Sequence, residues 1–294
     1  MNKKLLIILM ISGLIFTGCN FGTDGKQSGF SDIIGSGSSS SGESGSGVAI
    51  EFEKLNFKPI KGDSFSLLAT FKNYQPEPVS IRVKPTGFYW QYVEGLEKEF
   101  TIDLTPATST GPMKLAKFFE GITISGFEGD YNWNPIFQYC YETKSIFREL
   151  VCVPDEQGAC DIPIEPSTYK YGPLNTKVTS VYLIGKDKIG TIIDISNTNN
   201  GNVVNDCFQD KRKMGFGNKI DDPVVKLGTE IGDCISTSAS NGFVINDNSQ
   251  TMKCEFPRTQ DGVYPTQIVI EYGYKYQQES STEITIKDLA TGPR

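Results

Sequence analysis

Histidine does not occur among the 294 residues. Its absence removes the usual general base of Ser-His-Asp and Cys-His nucleophiles and the commonest nitrogen ligand of zinc. Cysteines spaced C-x-x-C are missing as well, so neither a zinc ribbon nor a thioredoxin-type redox pair is written into the chain. Glycine clusters only in a Gly/Ser tract and in "MGFGNK", and neither fits a phosphate or dinucleotide fingerprint. No N-x-S/T sequon is present, which argues against standard N-glycosylation. Positive charge is scarce: 28 Lys and Arg face 35 Asp and Glu, a net −7, and the single basic run is "KRK" at Lys211 to Lys213. Nucleic acid demands a clustered basic surface and is not an expected partner; the KRK run reads as a solvated loop. No apolar run reaches the roughly 20 residues that span a bilayer comfortably.

What the N-terminus does carry is Lys3, Lys4, the apolar run "LLIILMISGLIF", then Thr17, Gly18 and Cys19. A positive start, about a dozen apolar residues and small residues before a cut site make residues 1–18 a secretory signal peptide. These residues resemble a lipoprotein signal, with Phe16 where Leu, Val or Ile is usual. The resemblance implies that Cys19 is the lipid attachment site and that the membrane is contacted through that anchor. Residues 19–47 include "GSGSSSSGESGSG", which cannot bury enough apolar surface to offset its chain entropy and is expected to be a flexible tether. Its mean reach is about 25 to 30 Å. Loss of Lys3 and Lys4 with the signal takes the net charge from −7 to −9.

Beyond Cys19 stand six cysteines: Cys140, Cys152, Cys160, Cys207, Cys234 and Cys254. An even number behind a secretory signal favours disulfides, with fifteen full pairings possible. The body after the tether, about 245 residues, is long enough for two ordinary domains. "GDSFSLLATFKN" places Phe65, Leu67, Ala69 and Phe71 on one face, and "SIRVKP" alternates Ile81 and Val83 with Arg82 and Lys84. Period-two alternation bounded by Gly, Pro and Asn signals half-buried antiparallel strands, so the class is all-β. "MKLAKFFEG" alone could make a helical turn or two.

Two internal echoes suggest a tandem duplication. "ATFKNYQPEPV" resembles "IDISNTNNGNV", and "IFQYCYETKS" resembles "VIEYGYKYQQ", aligning Tyr139 and Tyr141 with Tyr272 and Tyr274. We therefore expect two β-sandwich domains, residues 48–157 and 158–294, each closed by a tyrosine-bearing hairpin. The strand, Asn, turn, Val device resembles Ig-like modules of the CARDB kind, and the whole layout resembles uncharacterised archaeal and bacterial surface lipoproteins. That resemblance implies a surface role, with an envelope protein or a glycan as partner, and supplies no catalytic residues. A closing hairpin puts Cys140 and Cys152 on its two arms, which favours their pairing; Cys234 with Cys254 and Cys160 with Cys207 complete the set.

Few residues offer chemistry. "GFYWQYVEG" gathers Phe88, Tyr89, Trp90 and Tyr92; as a strand it turns Phe88, Trp90 and Tyr92 to one face and Tyr89 to the other. With Trp133 these are the candidate partner-binding aromatics, although core packing also accounts for them. The loops "DISNTNNGNVVND" and "INDNSQ" hold enough oxygen for calcium but match no EF-hand, and Asn and Asp are ordinary turn formers. No metal or cofactor is expected. Paired carboxylates for glycoside cleavage are assembled in space rather than in sequence and stay open as an alternative, as does binding of a solute. The expectation is a membrane-anchored binding or structural module rather than an enzyme.

Overall fold

The computed structural model describes residues 47–163, 168–208, 218–237, 243–245 and 249–289. The signal peptide, Cys19, the tether up to residue 46, the KRK run and residues 246–248 of "INDNSQ" lie outside them. The fold is all-β, in agreement with the alternating pattern, and among the described residues no helix is long and apolar enough to cross a membrane. The strands of the first half are β1 (Val48–Phe52), β2 (Ser64–Asn73), β3 (Val79–Thr86), β4 (Val93–Glu94), β5 (Phe100–Leu104), β6 (Met113–Ile124), β7 (Tyr131–Trp133) and β8 (Ile136–Val153). Those that follow begin with β9 (Thr168–Tyr171), β10 (Asn175–Ile184), β11 (Lys188–Ser196), β12 (Asn202–Val204), β13 (Asn218–Lys219) and β14 (Val224–Leu227). The rest are β15 (Glu230–Ile231), β16 (Asp233–Ser236), β17 (Val244–Ile245), β18 (Ser249–Pro257), β19 (Tyr264–Ser281) and β20 (Ile284–Ile286).

Phe65, Leu67, Ala69 and Phe71 of β2 are buried, as are Val79, Ile81 and Val83 of β3, while Arg82 and Lys84 point outward. One-faced burial of this kind makes sheets that must stack, and two four-stranded antiparallel sheets result, ordered β1-β2-β6-β4 and β10-β11-β18-β16. Both share a core with a third, central sheet ordered β15-β14-β19-β8-β3-β5. Phe71 meets Phe100 edge-on at 6.5 Å and Phe119 lies 5.6 Å from Phe137, joining the first sheet to the central one. The arrangement is consistent with β-sandwich packing.

The two halves meet within the central sheet. β8 and β19 each run 18 residues and pair antiparallel throughout, from Tyr264 opposite Val153 to Ser281 opposite Ile136. β3 and β9 flank successive stretches of β8, and β14 and β12 flank successive stretches of β19. β20 returns to pair with β7, and Lys61 clasps Asp288 at 3.0 Å.

Each internal echo ties down the backbone around it in a comparable way at both places. Asn73 donates from Nδ2 to the carbonyls of Glu77 and Thr105 and accepts the Gln75 N–H at 2.8 Å. Asn197 donates to the carbonyl of Gly201, again four residues on, and accepts the Asn199 N–H, again two residues on. Tyr139 and Tyr141 hydrogen-bond the carbonyl and N–H of Val48 at the start of β1. Tyr272 and Tyr274 do likewise within and just before β10, with the Thr176 hydroxyl and the Leu174 N–H respectively. A buried phenol must find such a partner, so the tyrosines fix where β1 and β10 begin. Burial pushes Tyr272 up to about 12 and holds Tyr139, Tyr141, Tyr274 and Tyr276 well above the ordinary phenol range.

The closing hairpin expected around "ETKS" is absent: those residues are the middle of β8. Cys140 and Cys152 therefore sit on one strand, about 40 Å apart at ~3.3 Å per residue, and do not pair. Cys140 is bonded instead to Cys207, with Cα atoms 5.6 Å apart, because β12 lies against β19 and delivers the following loop over β8. Cys160 pairs not with Cys207 but with Cys152, eight residues away. Cys234 and Cys254 are bonded as expected, facing each other directly across β16 and β18. "MKLAKFFEG" is strand β6 rather than a helical turn, since Leu115 and Phe119 pair with Phe71 and Leu67 and this tertiary contact outweighs local propensity.

Candidate functional site

The aromatic run does not continue β3. Gly87, at φ +86°, turns the chain; a side chain there would press on the Asn134 carbonyl and Ile136. Trp90–Tyr92 then form a 3-10 helix closed by the Tyr92 N–H on the Tyr89 carbonyl. This geometry replaces the alternation expected of a strand. Phe88 and Trp90, both half-buried, pack edge-on at 4.8 Å, and Phe88 reaches Trp133 at 5.7 Å. Trp133 is fully buried against Phe65 and forms the floor of the cluster rather than part of its surface. Its indole Nε1 has no hydrogen-bond partner. Tyr89 is 71% exposed and pairs with Tyr92 at 6.1 Å on the outer side. Lys98 places its ammonium 5.9 Å from the Trp90 ring. The result is a small aromatic platform with one cation beside it, suited to stacking.

A concavity opens at one end of the second half, where residues remote in sequence converge. It is a hollow of about 190 Å³ lined by Ile189, Leu227, Thr229, Glu230, Gln260 and Tyr264, among others. Arg258 braces its rim, donating from Nε to the Gln260 carbonyl at 3.0 Å and from Nη2 to that of Gly262. Burial raises the Tyr264 phenol, and the nearby Arg258 charge opposes that shift. Hydroxyl, amide, carboxylate and ring face are thus offered to one small volume. No sequence pattern points to it, because the lining comes from β11, the β14–β15 turn, the loop after β18 and the start of β19.

The oxygen-rich loop after β11 spends its side chains on the protein itself. Asn197 accepts from both the Asn199 N–H and the Tyr276 hydroxyl, while Asn199 donates to the Pro173 carbonyl. Asp194 accepts the Thr251 and Thr179 hydroxyls. Among the described residues no three His, Cys, Asp or Glu side chains are grouped to hold a metal ion.

The third feature is an edge. β6 pairs with β2 on one side, but on the other meets β4 only at Ile124 and Thr123. Exposed apolar side chains collect along it: Met113, Leu115 and Phe118. The residues were visible in the sequence, but their exposure depends on which strand takes the outer place. Compared with known proteins, the chain matches no protein family and no curated protein.

Proposed function

We propose that the chain is a lipid-anchored, extracytoplasmic binding and structural module of the cell envelope, its body two Ig-like β-sandwich halves fused through β8 and β19. In this reading Cys19 carries the lipid, residues 19–47 provide reach, and the braced body presents its aromatic platform or an open sheet edge to an envelope protein or glycan. The observation that carries it is the cysteine pattern: all six cysteines beyond Cys19 lie in three pairs at bonding distance. Three structural disulfides fit an oxidising compartment and are rare in a reducing cytosol. Intact mass of the protein from its native membrane tests the reading. We expect a chain beginning at an acylated Cys19 that gains six hydrogens on reduction. Retention of residues 1–18, or six free thiols, would refute it.

A second reading, binding of a glycan or small solute, is favoured by the hollow around Tyr264. At about 190 Å³ it lies below the usual 300–1,000 Å³ of drug-sized sites and admits no more than about one sugar ring. Calorimetry against a monosaccharide panel, repeated with Tyr264→Ala, separates the readings: heat lost in the variant supports the hollow, and no heat from any sugar excludes it.

A further inference from the structure

The two four-stranded sheets have corresponding strand orders, and their outermost strands differ in one respect. In the second half, β16 covers β18 from Met252 to Glu255 and is bonded to it through Cys234 and Cys254. In the first half, no strand among the described residues covers the corresponding edge of β6 along residues 113–120. Met113 is 39%, Leu115 43% and Phe118 61% exposed on that stretch. A long apolar edge with unpaired backbone groups is a template for another strand. Its limit is set by a bulge at Glu120 and Gly121, where Gly95 comes so close that a Cβ would overlap the Gly121 carbonyl.

We propose that a second copy of this chain pairs antiparallel across the β6 edge, joining two four-stranded sheets into one around a two-fold axis at Lys117. The charge pattern selects this occupant. Lys114, Ala116, Phe118 and Glu120 share the outer face of β6, since Lys114, Ala116 and Phe118 lie opposite the outward residues Lys72, Thr70 and Leu68. With the axis at Lys117, Lys114 of each copy faces Glu120 of the other, and Ala116 of each leaves room for Phe118 of the other. Both contacts occur twice. A wholly acidic strand would oppose Glu120, and a wholly basic one would oppose Lys114. The two Lys117 side chains at the axis are already neutralised, each held by its own Glu97 at 2.9 Å and lying over the Phe100 ring at 4.0 Å. Residues 114–120 pair in both copies, which is the open stretch. The net negative charge of the chain opposes this little, because exposed charges beyond about 8 Å are screened at physiological salt.

The inference goes beyond envelope display and does not depend on the anchor: an unlipidated chain would still pair, and a lipidated monomer would leave the location intact. Sedimentation equilibrium on the full chain, in density-matched detergent where acylated, tests it with Lys114→Glu, Glu120→Lys and the double exchange. We expect a dimer whose Kd rises roughly tenfold or more in each single variant, as two opposite-charge pairs become like-charge pairs, and returns toward the original in the double variant. Reciprocal rescue is not a result that misfolding produces. A chain that stays monomeric to about 100 μM, or a dimer indifferent to both reversals, would overturn the proposal. Amide exchange offers an independent arm: protection of residues 113–120 should grow with protein concentration, and concentration-independent exchange there would count against it.

Discussion

Asn73 and Asn197 are matched positions whose bonds differ in direction, and that difference makes a sharp experiment. Asn73 is fully buried and makes two donor bonds, to Glu77 and Thr105, and one acceptor bond, from Gln75. Asn197 makes one donor bond, to Gly201, and two acceptor bonds, from Asn199 and the Tyr276 hydroxyl. Replacement of either by alanine deletes three bonds at about 1 kcal/mol each, so about 3 kcal/mol apiece. For a body of this size that lowers Tm by about 6 to 12 °C. Aspartate has almost the same shape but only accepts, so it separates the two sites. Asn73→Asp forfeits two bonds and turns a carboxylate toward two carbonyls; Asn197→Asp forfeits one and strengthens the bond from Tyr276. Differential scanning calorimetry should therefore rank Asn73→Asp beside or below Asn73→Ala, with Asn197→Asp well above Asn197→Ala. Equal effects of the two aspartates, or the reverse order, would refute the assignment of these bonds as the reason for the echo.

Other expectations concern the bridges, the phenols and a glycine contact. Loop closure over 67 residues makes Cys140–Cys207 worth about 4 kcal/mol, and closure over 8 makes Cys152–Cys160 worth about 2.5 kcal/mol. Paired serine substitutions should lower the urea midpoint in that order. The Tyr272 phenol is raised from 10 in the unfolded chain to about 12 in the folded one. The unfolded chain then loses protons first, so stability should be level below pH 10 and fall as pH rises from 10 to 12. Phenolate absorbance followed beside circular dichroism tests this; ionisation of all thirteen tyrosines near pH 10 with structure intact would contradict it. Gly95→Ala should cost more than about 2 kcal/mol, because its Cβ would fall 2.1 Å from the Gly121 carbonyl, whereas Gly62→Ala meets open space and should cost about 1 kcal/mol from its positive φ alone. Equal melting temperatures for the two variants would sink this reading.

Strands with one buried face were legible because period-two burial needs no knowledge of partners; β2 and β3 follow it residue by residue. The echoes were legible because a buried asparagine or tyrosine has bonding needs that few positions satisfy. "ETKS" misled for a physical reason. Its outward Glu142 and Lys144 are ordinary for a solvated face, while inward Thr143 and Ser145 are polar because buried phenols surround them, Ser145 meeting the Tyr274 hydroxyl at 2.8 Å. A two-sided polar stretch within a strand looks like a turn when the distant tyrosines are not known to face it. The same dependence on distant partners hid the Cys140–Cys207 bond, the hollow and the outer place of β6. The aromatic run was misread more locally, since β3 ends just before Gly87, whose positive φ is seen only in the structure.

The pairing of β8 with β19 also governs the order in which this protein can be made. Residues 136–153 wait for residues 264–281, more than a hundred positions later in synthesis, before their long edge is covered. Until then the first half has its core residues but not its neighbour strand, and the closing contact of β20 with β7 comes later still. Non-local pairing of this kind slows folding and leaves unpaired edges open to misassociation. A chain interrupted before residue 264 would therefore carry an 18-residue strand with one side bare, and a segment synthesised more than a hundred residues later decides whether the earlier half is sealed.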